Sequence, residues 1–212
     1  MDKPVIIFGV NNIGRAAKAM FESNEIVVYG FLDDNKELIG TEVDEVSVLG
    51  KTNDDGFLKL IGKKAEAFVA SDDNLVRKSL VQILLKKRKV MPVNAIHASA
   101  LIDPSAHISH GSFIGMNSTI GFQAKLGNHT IIQTGAIVDN GAQLGEFVQV
   151  GAGAIVGADV VIEDEVFIGA GANIISGVTL GKGARVGAGS VVISSVEEGK
   201  TVFGNPASEI ET

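Results

Sequence analysis

Four histidines, at positions 97, 107, 110 and 129, are the side chains best suited to move protons near neutral pH. Cysteine is absent, which excludes a thiolate nucleophile, a disulfide and Cys-ligated zinc. Near the start, Gly9, Asn11 and Gly14 occupy the three glycine places of G-x-G-x-x-G. In that turn, backbone N–H groups and a helix N-terminus can meet a pyrophosphate. Asparagine tolerates positive φ, so the turn survives, although its side chain crowds the phosphate. Asp33 follows Gly14 by nineteen residues, about where an acid would hold a ribose, and Asp34 adjoins it. A plain strand-to-helix turn followed by a solvated acidic turn explains the same residues. A third chemical feature lies late in the chain. Residues 94–212 hold 4 basic and 11 acidic residues, and three of the four cations are Lys182, Arg185 and Lys200. An acidic segment with its positive charge gathered near one end suits a polyphosphate ligand. It does not suit general nucleic-acid binding, which needs clustered Lys and Arg.

The elements that must position these residues fall into two texts. Hydrophobic residues make up 45% and charged residues 20%, so the chain packs rather than staying disordered. No run of eighteen apolar residues occurs, so no membrane span is expected. The first few residues are too short and too acidic a lead for a signal peptide, and a cytoplasmic location is expected. In residues 1–93, Val5-Ile6-Ile7-Phe8, Val27 to Leu32 and Ala67 to Ala70 read as strands, and Arg15 to about Ser23 and Asn74 to Lys87 read as helices. This alternation predicts a small α/β domain, a Rossmann-like parallel sheet. Ninety-three residues leave no room for a usual dinucleotide fold, so a nicotinamide enzyme is remote.

Residues 94–212 form a second domain, and from about residue 98 onward the period is six. Ile102, Ile108, Ile114, Ile120, Leu126, Ile132, Val138 and their successors to Val192 make sixteen hexads without a slip. Four residues after these sit small or β-branched residues such as Ala136 and Ala154, and nine of the sixteen are followed by Gly. Six residues of α-helix turn about 600°, leaving successive aliphatic residues ~240° apart, so no one face would be buried. Six is a multiple of the strand period of two, so in short strands every one of them points the same way. Regular glycine marks places of positive φ or close backbone approach. The pattern predicts a β-solenoid.

The repeat [LIV]-G-x-x-[small]-x resembles the hexapeptide transferases. With the glycine turn, Phe31-Leu32-Asp33-Asp34, the Ile96-His97-Ala98-Ser99-Ala100 junction and Val202-Phe203-Gly204-Asn205-Pro206-Ala207, the whole chain is similar to the bacillosamine and perosamine N-acetyltransferases and the sialic acid O-acetyltransferase-like proteins. The resemblance implies a left-handed parallel β-helix with three hexads per coil, about five coils here. It also implies a homotrimer with acetyl-CoA held between β-helices of adjacent subunits, near Gln149, Ala170, Ala188, Lys182 and Arg185. The nucleotide-linked sugar would meet Asn11, Asn12, Ile13, Gly14, Asp33, Asp34, Ser71, Asp73 and Asn74 in the N-terminal domain.

The resemblance also exposes a departure. The family's base histidine, in a hexad reading roughly Val-Asp-His, is Asn140 in Val138-Asp139-Asn140-Gly141. The acidic neighbour that would raise its basicity is Gly141, and a second family histidine, nine residues on, is Gln149. An amide takes no proton at neutral pH but still donates and accepts hydrogen bonds. Losing a general base costs about 10²–10⁴ in rate. Asn140 and Asp139 are therefore expected to orient the acceptor, with His129 the reserve candidate for the base. Histidine spacings of 3 and 19 give no set stacked at 18 residues, so no metal site is expected. The expected activity is acetyl-CoA-dependent N-acetylation of an amino group on a nucleotide-linked sugar. The alternatives are a weak or inactive nucleotide-sugar- and CoA-binding homologue, or a sugar O-acetyltransferase. A hydroxyl is much harder to deprotonate than an amine, so losing the base argues against the last.

Overall fold

The computed structural model describes residues 3–210. The chain divides into two compact units, Met1–Ala98 and Ser99–Thr212.

The first unit runs β1 (Val5–Phe8), α1 (Asn12–Ser23), β2 (Val28–Leu32), β3 (Glu42–Val43), β4 (Val46–Gly50), α2 (Asp55–Leu58), β5 (Glu66–Val69), α3 (Asn74–Arg88) and β6 (Ala95–Ile96). Its five-stranded sheet has the order β3-β4-β2-β1-β5, parallel from β4 to β5, with β3 turned back as a hairpin onto β4. The continuous apolar run of β1 is buried residue by residue, as a central parallel strand covered on both faces requires. One layer of the core packs Phe8, Leu32, Leu58, Ile61, Val69 and Leu84. Phe21 of α1 meets Phe68 of β5 edge-on, with ring centres 5.8 Å apart. Helix α3 is capped at its start by the Asp73 carboxylate, which accepts from Leu75 and Val76 N–H. Its last turn carries Lys86, Lys87 and Arg88, which complement the helix dipole.

Three local differences from the sequence expectation have plain causes. Helix α1 begins at Asn12 rather than Arg15, because the Asn11 side chain accepts from Gly14 N–H and caps it. The β3–β4 hairpin and α2 are short elements that the sequence reading did not assign. The boundary expected between residues 93 and 94 falls instead after Ala98. Val93 N–H donates to Ala67 O at 2.8 Å, Asn24 Nδ2 donates to Ile96 O at 2.9 Å, and Ala95 is wholly buried, which keeps this segment with the first unit.

In the second unit every hexad is one two-residue strand ending on its aliphatic residue. Strands eighteen residues apart pair in parallel and stack into three sheets. The first face stacks Leu101–Ile102, Thr119–Ile120, Ile137–Val138, Ile155–Val156, Asn173–Ile174 and Val191–Val192. The second face stacks His107–Ile108, Lys125–Leu126, Gln143–Leu144, Val161–Ile162 and Thr179–Leu180. The third stacks Phe113–Ile114, Ile131–Ile132, Gln149–Val150, Phe167–Ile168 and Arg185–Val186, and continues into Thr201–Gly204. The aliphatic residues point inward, and from Ile114 to Val192 all of them are buried. The small residues four positions later, Ala136, Ala154 and Ala172 among them, fill the prism corners at zero exposure.

From Gly111 to Gly189 each corner is a two-residue turn whose second residue has positive φ. Its N–H donates one coil back, as Gly141 N–H does to Phe122 O at 2.8 Å. Several corners hold this left-handed conformation with a side chain, including Gln123, His129, Phe147, Asp159 and Glu165. The glycine after the aliphatic residue serves close approach instead. A Cβ on Gly169 would lie 2.4 Å from Ala188 N in the next coil.

Candidate active site

In the first unit, a cleft of about 180 Å³ is lined by Gly9, Asn11, Asp33, Asp34, Thr52, Ala70, Ser71, Val76 and Leu80. The sheet makes it: Gly9, Asp33, Thr52 and Ala70 lie just beyond the C-terminal ends of β1, β2, β4 and β5, so four strand ends open on one side. The turn at Gly9 is tight. Its φ is +106°, and a Cβ there would lie 2.4 Å from Ala70 O. Asn11 braces the turn: Oδ1 accepts from Gly14 N–H at 3.1 Å, and Nδ2 donates to Ala70 O at 2.7 Å. Asp33 braces the same turn, with Oδ2 accepting from Val10 N–H at 2.9 Å and Oδ1 from Asn35 N–H at 2.8 Å. Asp34 accepts from both Thr52 N–H and Thr52 Oγ1.

The expected acceptor-binding residues thus separate into two groups. Asn11, Asp33, Asp34 and Ser71 line the cleft; Asn12, Ile13, Gly14, Asp73 and Asn74 do not. Ile13 and Gly14 are buried, and Asp73 and Asn74 build the turn that carries Ser71. Sequence reasoning missed Thr52 and Arg77. Arg77 is buried beneath that turn and donates to Ser71 O and Asn74 Oδ1. Burial lowers its pKa to about 10 against the pull of Asp72 and Asp73, so it remains a cation at neutral pH.

In the solenoid, the five expected coenzyme residues gather around one face. Gln149 and Arg185 point outward from the third face, with Phe167 between them in the same column. The Arg185 guanidinium lies 4.7 Å from the Phe167 ring centre. Lys182 sits on one bounding edge, while Ala170 and Ala188 sit on the other. That second edge reads Thr134-Gly135, Ala152-Gly153, Ala170-Gly171 and Ala188-Gly189, and open space surrounds each of these glycines. It is a strip of nearly bare backbone running along the axis.

Asn140 and Asp139 occupy a different place. They lie on the edge between the first and second faces, which in a three-sided coil is opposite the third face. Asp139 Oδ1 accepts from Asn140 N–H at 2.7 Å. Asn140 Oδ1 accepts from Phe122 N–H at 2.8 Å, one coil below, much as Asn128 Oδ1 does from His110 N–H. The exposed Asn140 therefore has its amide donor left to offer a ligand. His129 belongs to the remaining edge, between the second and third faces. It is 3% exposed at φ +60° and stacks on Phe147 with ring centres 4.8 Å apart. Within one chain, His129 and Asn140 therefore lie on different edges of the prism. The signal for the stacking was present in the sequence, since Phe147 follows His129 by eighteen residues, one full coil.

Beside Asn140, a groove of about 460 Å³ runs along the second face, lined by Ser105, His107, Gln123, Lys125, Gly141, Gln143 and Asp159. Asp159 was not expected from sequence. Among the described residues no group of three or more His, Asp or Glu is placed to hold a metal ion, and no helix is long and apolar enough to cross a membrane.

Comparison with known proteins agrees with this architecture. The family described as bacterial transferase hexapeptide (six repeats) matches residues 159–194. No curated protein sequence matches the chain. Among solved structures, a histidine-to-asparagine mutant of perosamine N-acetyltransferase from Caulobacter crescentus, in complex with CoA and GDP-perosamine, is 28% identical with a TM-score of 0.90, covering 100% of this chain and 99% of that one. The acetyltransferase domain of PglB from Neisseria gonorrhoeae, in complex with acetyl coenzyme A, is 25% identical with a TM-score of 0.88, covering 99% and 100%. WeeI from Acinetobacter baumannii is 25% identical with a TM-score of 0.85, covering 98% and 99%. In repeat and whole-chain fold, the chain is similar to these hexapeptide-repeat sugar acetyltransferases.

Proposed function

We propose that this protein transfers the acetyl group of acetyl-CoA to an amino group on a nucleotide-linked sugar. The observation that carries this reading is the end-to-end likeness to an N-acetyltransferase solved with both CoA and a nucleotide-linked amino sugar. The first unit, a Rossmann-like layer, holds the nucleotide-sugar in the cleft at its strand ends. The solenoid, a left-handed β-helix, holds acetyl-CoA along the bare edge of Ala170 and Ala188. Side chains on that edge are too short to obstruct a ligand lying against the backbone, and Arg185 and Lys182 bring positive charge to its phosphates.

The catalytic arrangement needs more than one chain. Asn140 and Gln149 lie on opposite sides of one prism, so a site containing both edge and face forms between copies. The first face favours such an assembly, since Leu101, Ile155, Ile175 and Ile193 on or beside it are exposed apolar residues. A cytoplasmic homotrimer with three such sites is the reading this supports. Within each site, Asn140 orients the acceptor by donating from Nδ2, and Asp139 fixes the corner that presents it.

The neutral Asn140 predicts a slow enzyme that can be improved. In an Asn140→His variant, the tautomer protonated at Nδ1 leaves Nε2 free to receive a proton, and the hydrogen bond that Asn140 Oδ1 accepts from Phe122 N–H is given up. We expect kcat for CoA release to rise by about tenfold or more. A rate equal to that of the native protein would show that the base is not limiting. A second reading, a subunit that binds ligands without turnover, draws on the amides at both Asn140 and Gln149. Asparagine in place of histidine did not keep CoA and GDP-perosamine out of the Caulobacter crescentus protein. A thiol assay separates the readings: acetyl-CoA and a nucleotide-linked amino sugar bound together with no thiol release would favour the second, and absence of acetyl-CoA binding would defeat both.

A further inference from the structure

We infer that Asp159 engages the acceptor's amino group and takes its proton during acyl transfer; this rests on the acyl-transfer reading above. Asp159 stands one coil above Gly141 on the edge that carries Asn140, and its N–H donates to Asn140 O at 2.9 Å. Its carboxylate reaches back toward the preceding coil. A Cβ built on Gly141 would lie 2.3 Å from Asp159 Oδ1. The carboxylate therefore fills the space that a side chain at position 141 would need. Residue 141 is bare, and an acid from the next coil stands beside Asn140 in its stead.

Two further observations single this group out. Among the described residues, Asp159 supplies the one carboxylate lining the groove beside Asn140. Its oxygens are also unspent. Asp33, Asp73, Asp139 and Asp164 each accept a backbone N–H that holds a turn or corner in place. Among the described residues no donor bonds the Asp159 carboxylate, so it can accept from a ligand without dismantling the fold. An exposed carboxylate beside a hydrogen-bonding amide suits an ammonium group, which presents donors and a positive charge, better than a hydroxyl.

The step balances without another reagent. The bound ammonium first gives one proton through the Asp159 carboxylate to water, and the lone pair so freed forms the N–C bond to the acetyl carbonyl carbon. The C–S bond breaks, and its electron pair leaves on the sulfur of CoA. Nitrogen becomes acidic as the bond forms, and its proton passes to the Asp159 carboxylate, then to the thiolate or water. Asn140 holds the acceptor in line but takes no proton.

The test uses a panel of nucleotide-linked amino sugars, each with its counterpart bearing a hydroxyl in place of the amine, titrated into the full-length protein. For the amino sugar bound most tightly, we expect a preference over its hydroxyl counterpart of about tenfold or more. Asp159→Asn removes that preference and leaves the affinity for the hydroxyl sugar unchanged. The double exchange Gly141→Asp with Asp159→Gly moves the carboxylate one coil back and restores the preference, which a role in stability alone would not do. A preference retained by Asp159→Asn, or absent from the native protein, overturns the inference. Lack of CoA release by a native protein whose amine preference depends on Asp159 would overturn the acyl-transfer reading and leave this contact standing.

Discussion

Gly14→Ala is expected to lower the stability of the first unit by about 2 kcal/mol and to abolish nucleotide-sugar binding. The new Cβ would sit 2.0 Å from Gly9 O, a backbone atom in the turn that forms the cleft. Neither side can yield cheaply. Gly9 itself closes on Ala70 O, and Asn11 bonds both Gly14 N–H and Ala70 O. Alanine elsewhere in a helix gains about 1 kcal/mol over glycine. The glycine therefore stands against helix propensity, which marks the contact as the stronger effect. Urea unfolding followed with a nucleotide-sugar titration checks both parts. A variant within about 0.5 kcal/mol of the native protein, still binding the sugar nucleotide, would refute this account of the turn.

Ala170→Arg carries the second large effect. Ala170 is exposed on the bare edge, so a long side chain there costs the fold little. It would lie across the path we assign to acetyl-CoA. We expect acetyl-CoA affinity to fall by about a hundredfold, roughly 2.8 kcal/mol, with nucleotide-sugar affinity unchanged. The added positive charge makes the test stricter, because charge alone would attract the phosphates. Calorimetry with each ligand separately reads the result. Unchanged acetyl-CoA binding would place the coenzyme on another edge.

The solenoid was legible because its signal is one residue class at a fixed period, and a slip of one residue would have turned Ile132 or Val150 outward. The sheet and long helices of the first unit were legible from apolar runs such as Val5 to Phe8. The β3–β4 hairpin was not, since Glu42-Val43 and Val46-Ser47 give two residues a side and positive φ at Asp44 and Glu45. The boundary after Ala98 depends on hydrogen bonds from Asn24 and Val93 that no local pattern announces. At the site, spacing within the motif found Gly9, Asn11 and Asp33, but not that Asn11 and Asp33 spend their polar atoms on the turn. The solenoid's working corner was harder to read. Gly141 and Asp159 are neighbours only through the eighteen-residue coil, and each residue alone reads as an ordinary corner. The contact of His129 with Phe147 likewise spans one coil.

The chain's central claim is chemical and has a direct measurement. The native protein is incubated with acetyl-CoA and each nucleotide-linked amino sugar, while free thiol is counted and the sugar product is weighed by mass spectrometry. The account predicts thiol released one for one with a sugar carrying a single added acetyl group on nitrogen. Binding of both ligands with no thiol above spontaneous hydrolysis, or an acetyl group found on oxygen, would contradict it.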